Sequence, residues 1–162
     1  TGKYPVHCVE TMTSIINQVE PWSLSYGDSL VKKYMNTDSH EWLDHISIAQ
    51  GACDAADAIG AHAIVCLTLT GSIARIISSI RPRTPIIALS PSNDVIQRLA
   101  YTWGVFGTLN TQFYDTDTIL HELPMMLKEN NLANAGDTIV FTAGIPMDKI
   151  KSTNMIKINI IT

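Results

Sequence analysis

The 162 residues are 46% hydrophobic and 16% charged, enough apolar material for one sizeable core and too little charge for a disordered chain. A net charge of −4 and a pI near 5.6 argue against nucleic-acid or anionic-membrane binding, since each needs a basic patch. No apolar run reaches the ~18–20 residues of a membrane span.

The three cysteines, Cys8, Cys53 and Cys66, are odd in number and form no Cys-x-x-Cys pair. That pattern fits a reducing cytoplasm better than a disulfide framework. Cys53 and Cys66 sit in apolar runs and read as small core residues. The first residue is Thr1 rather than Met, and no signal peptide is visible; the expectation is a piece of a longer protein.

Residues 4–19 carry Val6, Val9, Met12, Ile15, Ile16 and Val19 on a helical stripe, with Pro5 suited to the first turn and Glu20-Pro21 expected to stop it. Residues 22–45 have weak periodicity and read as a connector with a short helix or two, pinned by Trp22, Tyr26, Trp42 and Leu43. From Ile46 to Gly60 a helix is small or apolar over most of its circumference, which requires burial on more than one side. Ala63 to Leu67 reads as a first buried strand. A turn follows, Thr68-Leu69-Thr70-Gly71-Ser72, and then a helix with Ile73, Ile76, Ile77 and Ile80 at core spacing.

Pro85 to Leu89 is a second strand. Ser92 or Asn93 caps a helix through Val95, Ile96, Leu99 and Ala100. Val105 to Leu109 is a third strand. Asp115 or Asp117 starts a helix through Ile119, Leu120, Leu123, Met126 and Leu127, with a kink expected at Pro124. Asp137 to Thr142 is a fourth strand, and Asn154 to Ile161 alternates like a half-exposed edge strand. Helices alternating with strands predict an α/β fold: a three-layer α/β/α sandwich on a five-stranded, mostly parallel sheet whose last strand is antiparallel. Ligands of such sheets bind outside the carboxyl ends of the strands. That edge collects residues 68–72, 90–92 and 142–148.

The turn at residues 68–72 has two readings. Its hydroxyls and free amides at a helix N-terminus suit a phosphate. Equally, Thr70 or Ser72 caps the helix and Gly71 merely makes the turn. Neither nucleotide fingerprint, GxxxxGK[ST] or GxGxxG, occurs. His40 and His45 flank Glu41 and Asp44, but five residues apart they miss the spacing that puts two ligands on one helix face. No acid–base pair, nucleophile or metal cluster stands out, so no catalytic or metal residue is assigned, and the chain reads as a binding domain.

The order of residues resembles pyruvate kinase of the bacterial type. Lys3-Tyr4-Pro5-Val6 with Val9 and Met12 is similar to the segment after that family's last barrel strand. Ala63-Ile64-Val65, Leu67-Thr68, Thr70-Gly71, Ala74-Arg75, Arg81-Pro82 and Pro85-Ile86-Ile87-Ala88 resemble its C-terminal domain in unbroken order. So do Arg98-Leu99, Trp103-Gly104-Val105, Gly136-Asp137, Thr142-Ala143-Gly144-Ile145-Pro146 and Thr153-Asn154.

The resemblance implies a division into a residual C-terminal helix of the catalytic barrel (1–20), a connector (21–45) and an effector and interface domain (46–162). It implies a cytoplasmic, ATP-forming glycolytic parent that transfers the phosphoryl group of phosphoenolpyruvate to ADP with Mg2+ and K+. The catalytic groups lie upstream, so this piece alone is expected to be inactive and to hold no cofactor. Expected partners are a phosphorylated small-molecule effector and the chain's own subunits, a homotetramer in the parent or a dimer of this piece. Neither nucleic acid nor membrane is expected.

In effector-regulated relatives the turn matching Thr68, Leu69, Thr70, Gly71 and Ser72 holds the phosphate. The loop matching Met147 to Ser152, here with Lys149, Lys151 and Ser152, closes over the ligand. Two departures stand out: Ile73 where a hydroxyl is frequent, and Asp148-Lys149-Ile150-Lys151 where glycine is usual. They point away from fructose 1,6-bisphosphate toward a monophosphate such as ribose 5-phosphate or AMP, or toward no effector. The alternatives are a purely structural subunit-interface module and a free-standing phosphate-binding α/β domain.

Overall fold

A computed structural model describes residues 2–23, 43–110, 116–145 and 153–162. The elements in chain order are α1 (Pro5–Ser23), α2 (Leu43–Ile59), β1 (Ala63–Leu67), α3 (Ser72–Ile80), β2 (Ile86–Ser90), α4 (Asn93–Leu99), β3 (Val105–Leu109), α5 (Thr116–Glu129), β4 (Thr138–Ala143) and β5 (Met155–Ile160). The five strands form one sheet in the order β3-β2-β1-β4-β5, all parallel except the antiparallel β4–β5 pair. The fold is the expected α/β class.

β1 lies at the centre because every one of its residues is apolar and buried, as a strand covered on both faces must be. Alternation divides its side chains. Ile64 and Cys66 join Ile86, Ala88 and Val140 beneath α2, α3 and α4. Ala63, Val65 and Leu67 join Ile87, Leu89, Ile139 and Phe141 beneath α5. From α5 come Ile119, Leu123 and Leu127, four residues apart on one stripe. Burying each such side chain contributes about 1.5–3 kcal/mol. The alanines of α2, Ala49, Ala52 and Ala56, are fully buried and let that helix lie close to α3 and the sheet.

α2 ends as its glycine predicts. Gly60 takes φ 61°, its amide donates to the Asp57 carbonyl at 3.3 Å, and Ala61 donates to Ala56 at 2.9 Å. Two boundaries differ from the sequence reading. α1 continues through Pro21 to Ser23, because a proline this close to a helix end removes a single intrahelical bond, from the carbonyl of Asn17. α2 begins at Leu43, three residues before Ile46. As expected, α5 runs through Pro124, which leaves the Leu120 carbonyl without its intrahelical donor. The expected short helices of the connector and their anchors Tyr26 and Trp42 lie outside the described residues.

β5 is the edge strand expected, but its alternation is inverted in part. Ile158 and Ile160 are exposed, whereas Ile161 and Met155 pack into the core beneath α5. Of Ile156, Ile158 and Ile160, which alternation places on one face, Ile156 packs against the core cluster that includes α2.

Candidate functional site

The chain passes from β1 through α3 to β2 on one side, and from β3 through α5 to β4 on the other. α3 and α5 lie on opposite faces of the sheet. Strand order therefore reverses between β1 and β4, and the crevice at their carboxyl ends is where open α/β sheets take ligands. The segment after β1 is the turn at residues 68–72. The segment after β4 begins at Gly144.

Each residue of the turn has a defined part. Thr68 is buried; its amide donates to Leu89 of β2 at 2.9 Å, which pins the turn to the sheet. Its hydroxyl accepts the amide of Gly71 at 2.9 Å. Gly71 adopts φ 78°, a left-handed conformation that side-chain-bearing residues reach only at a cost, and it is the N-cap of α3. The exposed Thr70 hydroxyl donates to Ser72 Oγ at 3.0 Å and accepts the Ser72 amide at 3.4 Å. Leu69 is half-buried beside them.

The capping residue therefore offers no side chain of its own; Thr68 and Thr70 satisfy the first two amides from outside the helix. The Arg75 amide closes the first helical bond to the Gly71 carbonyl, so the amides of Ile73 and Ala74 have no place in the intrahelical ladder. Two amides, two mutually bonded hydroxyls and the positive end of α3 make this turn suited to an anion.

One contributor was missed in the sequence. Arg75 Nη1 donates to the Thr70 carbonyl at 3.4 Å, which brings a guanidinium against the turn. The signal was its spacing: four residues after Gly71, a helical side chain leans back toward the N-terminus. Ile73 explains its own departure. It is buried in the core beneath α3, where it packs rather than donates.

Other residues at the same edge are committed elsewhere or stand apart. Ser90 is fully buried, and its hydroxyl accepts the Ser92 amide at 3.3 Å. Thr142 is buried with its hydroxyl making no hydrogen bond among the described residues. Lys149, Lys151 and Ser152 lie outside the described residues, but the two ends of their loop do not. Ile145 donates to Asn154 Oδ1 and accepts from Asn154 Nδ2, both at 2.8 Å, so the segment leaves and re-enters at one point of the carboxyl edge.

Among the described residues nothing else gathers reactive chemistry. Burial pushes both the Cys53 and Cys66 thiols up to about 12, with the Asp54 carboxylate adding to the effect at Cys53. His62 is exposed, with Nε2 at 3.1 Å from the Leu132 carbonyl at the opposite, amino edge of β1. Among the described residues no group of three or more His, Cys, Asp or Glu is placed to hold a metal ion. The hollow over α4, lined by Asp94, Gln97, Arg98, Ala100 and Tyr101, is open surface, and its Arg98 is already bonded to the Asp94 carbonyl.

Comparison with known proteins agrees with this architecture. The family model described as "Pyruvate kinase, alpha/beta domain" matches residues 46–159. The pyruvate kinase of Clostridium acetobutylicum is 34% identical over 160 residues, which is 99% of this chain and 33% of the relative. That of Clostridium perfringens is 35% identical over 98% of this chain and 33% of the relative. The crystal structure of a pyruvate kinase from Cryptosporidium parvum superposes with a TM-score of 0.65 at 26% identity, over 74% of this chain and 23% of the other. The chain thus spans about a third of the length of the curated relatives.

Proposed function

The chain belongs to the pyruvate kinase alpha/beta domain family, and from that premise we propose that it is the effector-binding and subunit-contacting part of a pyruvate kinase. Its parent transfers the phosphoryl group of phosphoenolpyruvate to ADP, in the cytoplasm, with Mg2+ and K+ held by residues outside this chain. Residues 1–20 are the last helix of the catalytic barrel, 21–45 connect, and 46–162 form the regulatory domain. The apolar stripe of α1 supports that division, because Val6, Val9, Met12, Ile15, Ile16 and Val19 are all more than half exposed and suited to burial against a preceding barrel.

The observation that carries the effector reading is the turn. Thr68, Leu69, Thr70, Gly71 and Ser72 stand at the reversal of strand order, with open amides at Ile73 and Ala74 and the Arg75 guanidinium alongside. By the family resemblance, Lys149, Lys151 and Ser152 belong to the loop that closes over the ligand, and Asn154 ties to Ile145 at the ends of that segment. A singly phosphorylated sugar or nucleotide fits better than a bisphosphate, since the Ile73 side chain is turned into the core and adds no hydroxyl donor beside its amide. A second role, contact between subunits, is supported by the open edge of β5, where Ile158 and Ile160 are 51% and 58% exposed.

Titration calorimetry with ribose 5-phosphate, AMP and fructose 1,6-bisphosphate tests the first role. Binding of a monophosphate is expected, weakened about tenfold or more in the Thr70→Ala, Ser72→Ala double variant and again in Arg75→Leu. No heat with any of the three rejects it. Strictly monomeric sedimentation at high concentration rejects the second role.

A further inference from the structure

The side chain of Trp103 is held from the end of α1 and from the end of α3. Its indole N–H donates to the Glu20 carboxylate near the end of α1. The Arg81 guanidinium, just past the end of α3, sits over its ring at 4.6 Å from the centroid. Its backbone is held as well, because the Ser78 hydroxyl of α3 donates to the Trp103 carbonyl at 2.5 Å. Arg81 takes φ 61°, an uncommon conformation for a residue with a side chain. Over residues 5–20 of α1 all side chains are exposed save the half-buried Cys8 and Glu20. The helix therefore does not pack on the α/β body along its length; it is seated at its end.

We propose that Trp103 is the pin that sets the angle of α1 on the α/β body, gripped by Glu20 from one helix and by Arg81 from the other. The grip is cooperative. The cation on the ring polarises the indole N–H toward the carboxylate, and the carboxylate balances the cation's charge across the ring. α3 carries the candidate turn at its first residue and Arg81 just beyond its last. A displacement of α3 is thus passed to α1 through one side chain, whether or not the turn binds phosphate.

The test is a pair of spin labels at the exposed positions Ser14→Cys on α1 and Asp57→Cys on α2, in a Cys8→Ser chain diluted with unlabelled protein. One narrow distance peak is expected. Glu20→Ala and Trp103→Leu should at least double its width. Arg81→Ala, though on the other helix, should broaden it too, and Glu20→Gln, which keeps an acceptor, should broaden it less. Unchanged width in Glu20→Ala and Trp103→Leu overturns the proposal. So does broadening in Glu20→Ala that comes only with a lowered melting temperature of the α/β body, which would mark a stability contact rather than a seat.

Discussion

The Gly71 amide donates to the Thr68 hydroxyl across three residues at 2.9 Å, and this bond closes the turn between β1 and α3. Thr68 is buried at 5% exposure, so the bond is shielded from water. Thr68→Val keeps the shape and removes the acceptor, leaving the Gly71 amide without a partner. A loss of about 1–3 kcal/mol is expected, read by urea denaturation. Phosphate affinity should fall with it, because the same turn loses its geometry. A variant as stable as the parent would show that the bond is not what closes the turn.

Two glycines should respond differently to alanine. At Gly71 the φ of 78° disfavours any side chain, and a Cβ would lie 3.1 Å from Arg75 Nη1 and 3.2 Å from both Leu99 Cδ2 and Val95 Cγ1. Gly71→Ala should cost about 1–3 kcal/mol through backbone strain and crowding. Gly51 lies inside α2, and its Cβ would meet only Ile156 Cδ1 at 3.1 Å, the tip of a half-buried side chain on the edge strand. Helix propensity favours alanine there by about 0.5–1 kcal/mol, so Gly51→Ala should raise the thermal midpoint or leave it unchanged. A fall comparable to that of Gly71→Ala would mean that β5 cannot yield.

The thiols make a prediction in pH. Cys53 and Cys66 are pushed from 9.0 to about 12 by burial. Between those values the unfolded chain releases protons that the folded chain keeps, so stability is fully present below about pH 9 and declines as pH rises toward 12. Cys53→Ala with Cys66→Ala should flatten that decline in denaturant titrations run from pH 8 to 11. In the native protein at pH 8, a thiol reagent should modify the half-buried Cys8 and spare the other two until denaturant is added. Fast modification of all three would contradict the burial of β1 and α2.

Much of the fold could be read from local pattern. Ala63-Ile64-Val65-Cys66-Leu67 is an unbroken apolar run, and it is the central strand. Val105 to Leu109 matches the sequence reading because Gly104 precedes it and Val105, Phe106 and Thr108 are β-branched or aromatic. The end of α1 and the start of α2 differ from the sequence reading for one reason. Proline and weak periodicity are local signals, whereas helix ends are decided by what holds the last turn, as Trp103 holds Glu20 from 83 residues away. The turn at residues 68–72 was visible as a place, but not its wiring: nothing in the order of residues says that Thr68 binds Gly71 while Thr70 binds Ser72.

By itself the sequence determined which residues are strands and helices, that the sheet is mostly parallel, and that the hydroxyl-rich turn opens a helix. These follow from hydrophobic period, glycine and hydroxyl positions, all properties of neighbours in the chain. Only the tertiary structure decided that strand order reverses beside that turn, that Arg75 leans over it while Ile73 turns into the core, and that Ile158 and Ile160 face outward where Ile161 does not. Those outcomes depend on which surfaces the packed helices reach, and the period of a single strand or helix does not contain that information.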